Sequence, residues 1–255
     1  MKLGLFVIGM LTSVVALAQI ERTSAHSGTY SMSVIKAVDM KCSKDQMRAV
    51  YSEEGGGKIL AHLCDKEYRQ CMRDGSCVIE DQYGERMGLN YSFYNEKKNR
   101  SFFAKVDLKK CTYGYGMGRI DDETMGSTCL IPYFTISTDP TEYKIGDVLF
   151  IQDLVGVKLS TGIVHDGYVI VADYAEGYIG SGNEMMSIFT GTDAANTKAN
   201  ALSAIGFSDF GKGFQFRTVS EEKAKEVREK RGFKVVRTWK KSFVVPGNPM
   251  LDGQE

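Results

Sequence analysis

Three aspartates stand where a β-rich chain would bring them to the ends of strands: Asp139, Asp166 and Asp173. Asp139 follows the stretch Tyr133-Phe134-Thr135-Ile136. Asp166 precedes, and Asp173 closes, the run Tyr168-Val169-Ile170-Val171-Ala172, which carries no charge. A carboxyl emerging from an apolar strand is partly desolvated, which lifts its pKa toward the range of a general acid. Asp173 is therefore expected in a cleft near Asp139 or Asp166, with its pKa raised by burial and by like charge. The plainer reading makes Asp166-Gly167 a turn and Asp173 a cap. Other chemistries lack their motifs. No G-x-S-x-G elbow is present. The glycine-rich Tyr113-Gly114-Tyr115-Gly116-Met117-Gly118 has no following Gly-Lys-Ser/Thr and is not a phosphate loop. No cofactor is expected.

Composition narrows the class. The chain has 255 residues, 43% hydrophobic and 25% charged, with Lys+Arg and Asp+Glu both 32. A neutral chain lacks the basic excess that nucleic-acid binding needs. Three histidines leave little material for a histidine-rich metal site. Residues 1–18 combine Lys2, a short apolar core and Ala16-Leu17-Ala18, the pattern of a secretory signal peptide, with an N-terminal anchor as the other reading. No later stretch is apolar enough to cross a bilayer, so no stable membrane insertion is expected once the signal is cleaved. Cys42, Cys64, Cys71, Cys77, Cys111 and Cys129 all precede residue 130. An even count in an exported chain points to disulfides of unspecified pairing. A zinc site is the competing reading, but no C-x-x-C pair exists and His62 is the sole nearby imidazole. Localisation is expected to be periplasmic or extracellular.

The elements that must position the aspartates follow from periodicity. A short helix opens at the capping box Ser43-x-x-Gln46 and runs to about Tyr51, and 60–72 reads as a second, weaker helix or as an irregular disulfide-pinned loop. Alternation from 76 to 108 reads as strands, with 95–99 as a hairpin tip. In the C-terminal half, strands are expected near 133–136, 148–151, 157–159, 168–172, 186–189 and 213–217. The run 168–172 is central and buried. A helix is expected at 194–205. Another at 220–231 has a capping box at Thr218-x-x-Glu221 and Gly232 at its end. The fold class is mainly β with a few helices: a small six-stranded barrel in the C-terminal half, after a cysteine-rich α+β region. Segments are 1–18 signal, 19–130 cysteine-rich region, 131–217 barrel, and 218–255 C-terminal helix and tail.

Ser137-Thr138-Asp139-Pro140 with Ile145-Gly146-Asp147-Val148, then His165 through Asp173, then Ile188-Phe189-Thr190-Gly191, resemble the three-aspartate (3D) domain. That family includes the catalytic barrel of membrane-bound lytic transglycosylase A. The resemblance covers 133–191 and implies a double-psi β-barrel acting on peptidoglycan glycan strands. It implies that Asp173, as a single acid, protonates the bond between muramic acid and glucosamine and then takes the 6-hydroxyl proton. The product is a 1,6-anhydro ring. It implies Asp139 as the residue orienting Asp173, with Asp166 close by, and substrate contacts from Tyr133, His165 and Tyr178. Two departures stand out. After Asp173 the run is Tyr174-Ala175-Glu176-Gly177-Tyr178-Ile179-Gly180, so one of the family's paired glycines and its lysine are lost, and the third aspartate is Ser187. Glu184, in a lengthened loop, is a candidate substitute carboxylate. The alternatives are a non-catalytic, expansin-like wall-binding module, and an exported disulfide-rich inhibitor or adaptor on a barrel scaffold. Oligomeric state is not readable from the sequence.

Overall fold

The computed structural model describes residues 21–23, 26–54, 57–192, 200–207 and 213–240. The signal segment 1–18 and most of the expected 194–205 helix lie outside these residues. In chain order the strands are β1 (Glu21–Thr23), β2 (His26–Tyr30), β3 (Ser33–Lys36), β4 (Met47–Ser52) and β5 (Ile59–Cys64). Helix α1 (Asp65–Arg73) comes next. It leads to β6 (Ser76–Glu80), β7 (Arg86–Asn95), β8 (Arg100–Val106), β9 (Tyr115–Arg119) and β10 (Thr124–Cys129). The second half holds β11 (Thr135–Thr138), β12 (Val148–Ile151), β13 (Tyr168–Tyr174), β14 (Met185–Phe189), β15 (Gln215–Thr218), α2 (Glu221–Lys230) and β16 (Val235–Lys240).

The strands form three sheets. The largest has the order β1-β15-β12-β13-β11-β14-β2, with β11–β13 and β14–β2 parallel. This corrects the expected six-stranded closed barrel: the sheet has seven strands, and its edges β1 and β2 do not pair. The two edges are nonetheless consecutive in the chain. Three Cα–Cα steps separate Thr23 from His26, so the edges lie within about 11 Å there and the sheet must curl. The two added strands were hidden because Glu-Arg-Thr and His-Ser-Gly-Thr-Tyr lack apolar alternation. Backbone pairing, not side-chain pattern, recruits them, and Ser27 and Thr29 are buried by it. The expected strand at 157–159 is reduced to one bridge, Lys158 to Val164.

The run at 168–172 behaves as expected. β13 lies between β12 and β11, and Val169, Ile170 and Ala172 are wholly buried. Val169 and Val171 join Ile136, Leu149, Ile188 and Phe216 in the main core, while Ile170 packs toward Ala224 and Val227 of α2. The cap of α2 lies two residues after the expected one. Ser220, not Thr218, accepts the Lys223 N–H, at 3.3 Å.

The second sheet, β3-β6-β7-β8-β4-β5, carries α1. Here both expected early helices are corrected. The capping box at Ser43 closes a single 3-10 turn, Lys44–Gln46, before β4, and 59–64 is strand with α1 only from Asp65. Val50 and Ser52 of β4 and Leu63 and Cys64 of β5 are buried, and pairing with partner strands settles the state. The 95–99 hairpin tip falls between β7 and β8 as read. The third sheet, β16-β10-β9, packs its glycine-rich β9 against β13.

All six cysteines pair: Cys42–Cys64, Cys71–Cys77 and Cys111–Cys129. The thiolates that the zinc reading required are thereby consumed. Two bridges hold the two ends of α1, and the third ties the approach to β9 to the end of β10. Thiol labelling of the denatured, unreduced protein should detect no free cysteine. Reduction should lower stability by roughly 2–4 kcal/mol per bridge. Free thiols with bound zinc would contradict this.

Candidate active site

Asp173 sits at the far end of β13, where the β11–β13 ladder slips between Ile136 and Ser137. The irregularity pairs Ser137 with Asp173 instead of Ala172. Such bulges redirect a side chain at a sheet's rim. Asp173 is half-buried in the wall of a cleft of about 980 Å³ between the large sheet and the cysteine-rich sheet. Tyr30, Ser137, Tyr178 and Ser187 line it from one side, and Arg73, Asp74, Ser76 and Asn90 from the other.

Close backbone packing supplies the carboxylate's main partner. Met117 of β9 donates its N–H to Asp173 Oδ1 at 3.0 Å. The approach depends on Gly116, where a Cβ would stand 2.2 Å from the Ala172 carbonyl oxygen. On β9's other side, Asn90 accepts the Tyr115 N–H at 3.1 Å and donates to the Tyr115 carbonyl. β9 is thus clamped between a side chain of the cysteine-rich sheet and the candidate acid. Burial pushes the Asp173 pKa up to about 7. The Met117 and Tyr174 N–H groups and Tyr30 pull the other way without cancelling it. No neighbouring carboxylate contributes, so the expected like-charge component is absent.

Tyr30 is a contributor that sequence reading missed. Its hydroxyl is buried without a hydrogen-bond partner of ordinary geometry. Burial, then the nearby Asp173 charge, raises its pKa well above the usual tyrosine value. Ser137 Oγ, across the strand pair from Asp173, is likewise buried without a partner. Two such hydroxyls beside one acid suit a polar ligand that completes them. Nothing in His-Ser-Gly-Thr-Tyr signals this, because β2 reaches the site only through pairing with β14. The alternating glycines at 114, 116 and 118 did carry a signal of close backbone approach. Tyr30→Phe should lower kcat/KM about tenfold, the worth of one good hydrogen bond. It should also move the alkaline limb of the pH–rate profile upward, since Tyr30 holds the Asp173 pKa down. An unchanged profile would exclude this role.

The other expected site residues are dispersed. Asp166 lies just before β13 and Asp173 near its other end, and the five strand steps from Tyr168 to Asp173 alone span roughly 16 Å at ~3.3 Å per residue. Burial acts to raise the Asp166 pKa, but hydrogen bonds from Lys230 and Arg231, both at 2.8 Å, leave it lowered. Asp139 is fully buried and does not line the cleft. Its Oδ1 accepts from Thr141 N at 2.8 Å and Thr141 Oγ1 at 2.7 Å, and its Oδ2 accepts from Gly182 N at 2.7 Å. It thereby anchors the loop that follows Tyr178.

His165 is buried, donates from Nε2 to the Tyr133 carbonyl at 2.8 Å and accepts the Gly167 N–H on Nδ1 at 2.9 Å. Burial lowers its pKa, and it stacks on Phe134. Tyr133 is 1% exposed, so its ring packs in the core. Tyr178 does reach the cleft, with its hydroxyl bonded to Ser187 Oγ. The position of the missing third aspartate is thus a serine–tyrosine pair. Glu184 is exposed, and its backbone carbonyl accepts the His26 N–H at 2.7 Å.

No known family profile matches the sequence, and no curated protein matches it. Solved structures do. E. coli MltA with bound chitohexaose aligns with a TM-score of 0.45 and 13% identity, over 78% of this chain and 72% of that one. A membrane-bound lytic murein transglycosylase from Agrobacterium tumefaciens gives 0.45 and 10%, over 81% and 76%. MltA from Neisseria gonorrhoeae gives 0.45 and 13%, over 84% and 74%. These structural neighbours are lytic transglycosylases of the MltA type, the family that the segments 137–148 and 165–173 resemble.

Proposed function

We propose that this chain is an exported, peptidoglycan-active lytic transglycosylase in which Asp173 is the single acid and base. The observation that carries the reading is the Asp173 carboxyl itself: reachable from a long cleft and raised by burial to about 7. A carboxyl with that pKa is protonated often enough near neutrality to donate, and its conjugate base is strong enough to take the proton back.

Asp173–COOH donates its proton to the glycosidic oxygen as the bond from that oxygen to C1 of the muramoyl sugar breaks. The resulting carboxylate takes the proton of the same sugar's 6-hydroxyl as O6 closes on C1. The acid is regenerated, no water is consumed, and a 1,6-anhydro end is left. Hydrolytic glycosidases divide this work between two carboxyls. The cleft's other carboxylate, Asp74, is occupied by Arg73 at 3.0 Å and by Ser33. Tyr30 and Ser137 offer hydroxyls to the sugar beside Asp173, and Tyr178 and Ser187 line the continuation of the cleft. Asp139 acts at one remove, by holding the 180–184 loop. The three disulfides support a location outside the cytoplasm. Among the described residues no helix is long and apolar enough to cross a membrane.

Incubation of the purified protein with sacculi, followed by mass spectrometry, should yield anhydromuropeptides. Ser187 in place of an aspartate favours the second reading, a wall-binding module. Binding to sacculi without anhydro products would select it.

A further inference from the structure

A second cavity, of about 1030 Å³, lies on the cysteine-rich sheet. Its charge is one-sided. Lys44, Arg48, Arg69, Lys98 and Arg100 line it, with Asp65 the one carboxylate among the lining residues. Asp65 is shared: Arg48 Nε reaches Oδ1 at 2.9 Å and Arg69 Nε reaches Oδ2 at 2.7 Å. Two guanidinium groups thus divide one negative charge. No carboxylate among the described residues pairs with Lys44, Lys98 or Arg100. Arg100 instead lies over the Tyr51 ring, 4.3 Å from its centre. Arg100 Nε also donates to the Lys98 carbonyl at 3.3 Å, so stacking and this bond fix the guanidinium plane and leave its terminal N–H groups for a planar anion.

The groove is joined to the cleft through α1. Asp65, Tyr68, Arg69 and Met72 recur at helical spacing and face the groove, while Gln70, Met72 and Arg73 face the cleft. Met72 borders both cavities, so the cleft and the basic groove adjoin at the end of α1. The Cys71–Cys77 bridge holds that end of the helix. Tyr51, Tyr68, Tyr94 and Met47 give the groove apolar surface as well as charge. A polyanion without apolar groups would leave that surface unused.

We propose that this groove is a subsite for a carboxylate-bearing peptide attached to the glycan in the cleft. This rests on the glycan-cleaving reading and names its substrate more narrowly: strands that still carry their acidic peptides, with Arg48, Arg69 and Arg100 taking the carboxylates.

The test uses the full chain and calorimetric titration with N-acetylmuramoyl-L-alanyl-D-glutamate, the same compound with both carboxyls amidated, chitohexaose, and a glycerol-phosphate oligomer. The free acid should bind about tenfold more tightly than the diamide, and the difference should shrink in higher salt. Arg48→Gln/Arg100→Gln should abolish the difference and leave chitohexaose affinity unchanged. Lys44→Gln/Lys98→Gln, which breaks no ion pair, should halve it or more with an unchanged circular dichroism spectrum. Equal affinity for acid and diamide, or an Arg48→Gln/Arg100→Gln protein that still discriminates, would overturn the proposal. So would a glycerol-phosphate oligomer that binds more tightly than the acid, which would assign the groove to a phosphate polymer. If the acid is discriminated but chitohexaose does not bind, the glycan-cleaving reading fails and the anion groove stands.

Discussion

Asp173→Asn lowers the rate of anhydromuropeptide release from sacculi by about 10²–10⁴-fold or more, the usual worth of a positioned general acid. The substitution keeps the side chain's shape, and the amide oxygen can still accept the Met117 N–H, so the fold survives. The stability change carries its own signature. The carboxyl's pKa is about 7 in the folded chain and about 4 when unfolded, so the folded state binds the extra proton. The cost of burying the charge is absent below about pH 4, grows as pH rises, and is complete above about pH 7. Wild-type stability should therefore fall across that window by an amount on the order of a few kcal/mol, moderated by cleft water. Asp173→Asn should flatten that part of the curve and exceed the wild type at pH 8. Denaturant melts of both proteins from pH 4 to 8 decide this. Parallel curves would mean that Asp173 is an ordinary solvated carboxylate, and full activity of the variant would end the enzyme reading.

Gly116→Ala should be the most damaging single-methyl change in the site. Its Cβ would sit 2.2 Å from the Ala172 carbonyl oxygen and 2.9 Å from Leu130 Cδ2. The first contact is backbone, so β9 must move away from β13. That costs about 1–3 kcal/mol of overpacking strain and breaks the Met117 N–H bond to Asp173. With its principal hydrogen bond gone, the Asp173 pKa should climb, and the alkaline limb of the pH–rate profile should follow. Gly118→Ala is the control. Its added methyl meets Ile145 Cγ1 at 3.0 Å, a side chain that can yield. A Gly116→Ala protein with the wild-type melting temperature and pH profile would show that β9 does not set the acid's state.

The sequence by itself determined that 168–172 is an uncharged strand buried on both faces, and that Asp173 must surface where it ends. It also determined the hairpin at 95–99 and the α2 helix, because each rests on contacts within a few residues: alternation, turn residues, i,i+4 pairs. The tertiary structure decided the rest. It set the pairing of the cysteines, and it moved Glu21–Tyr30 into the large sheet through backbone hydrogen bonds to which side-chain pattern is blind. It separated the three aspartates. Asp166 went to two cations of α2 and its end, and Asp139 to a buried turn and the 180–184 loop. Asp173 was left with the Met117 N–H and the hydroxyl of Tyr30, residues far from it in the chain. A pKa is set by what surrounds a group in space, so neighbours along the chain do not show which of the three carboxyls has its pKa raised.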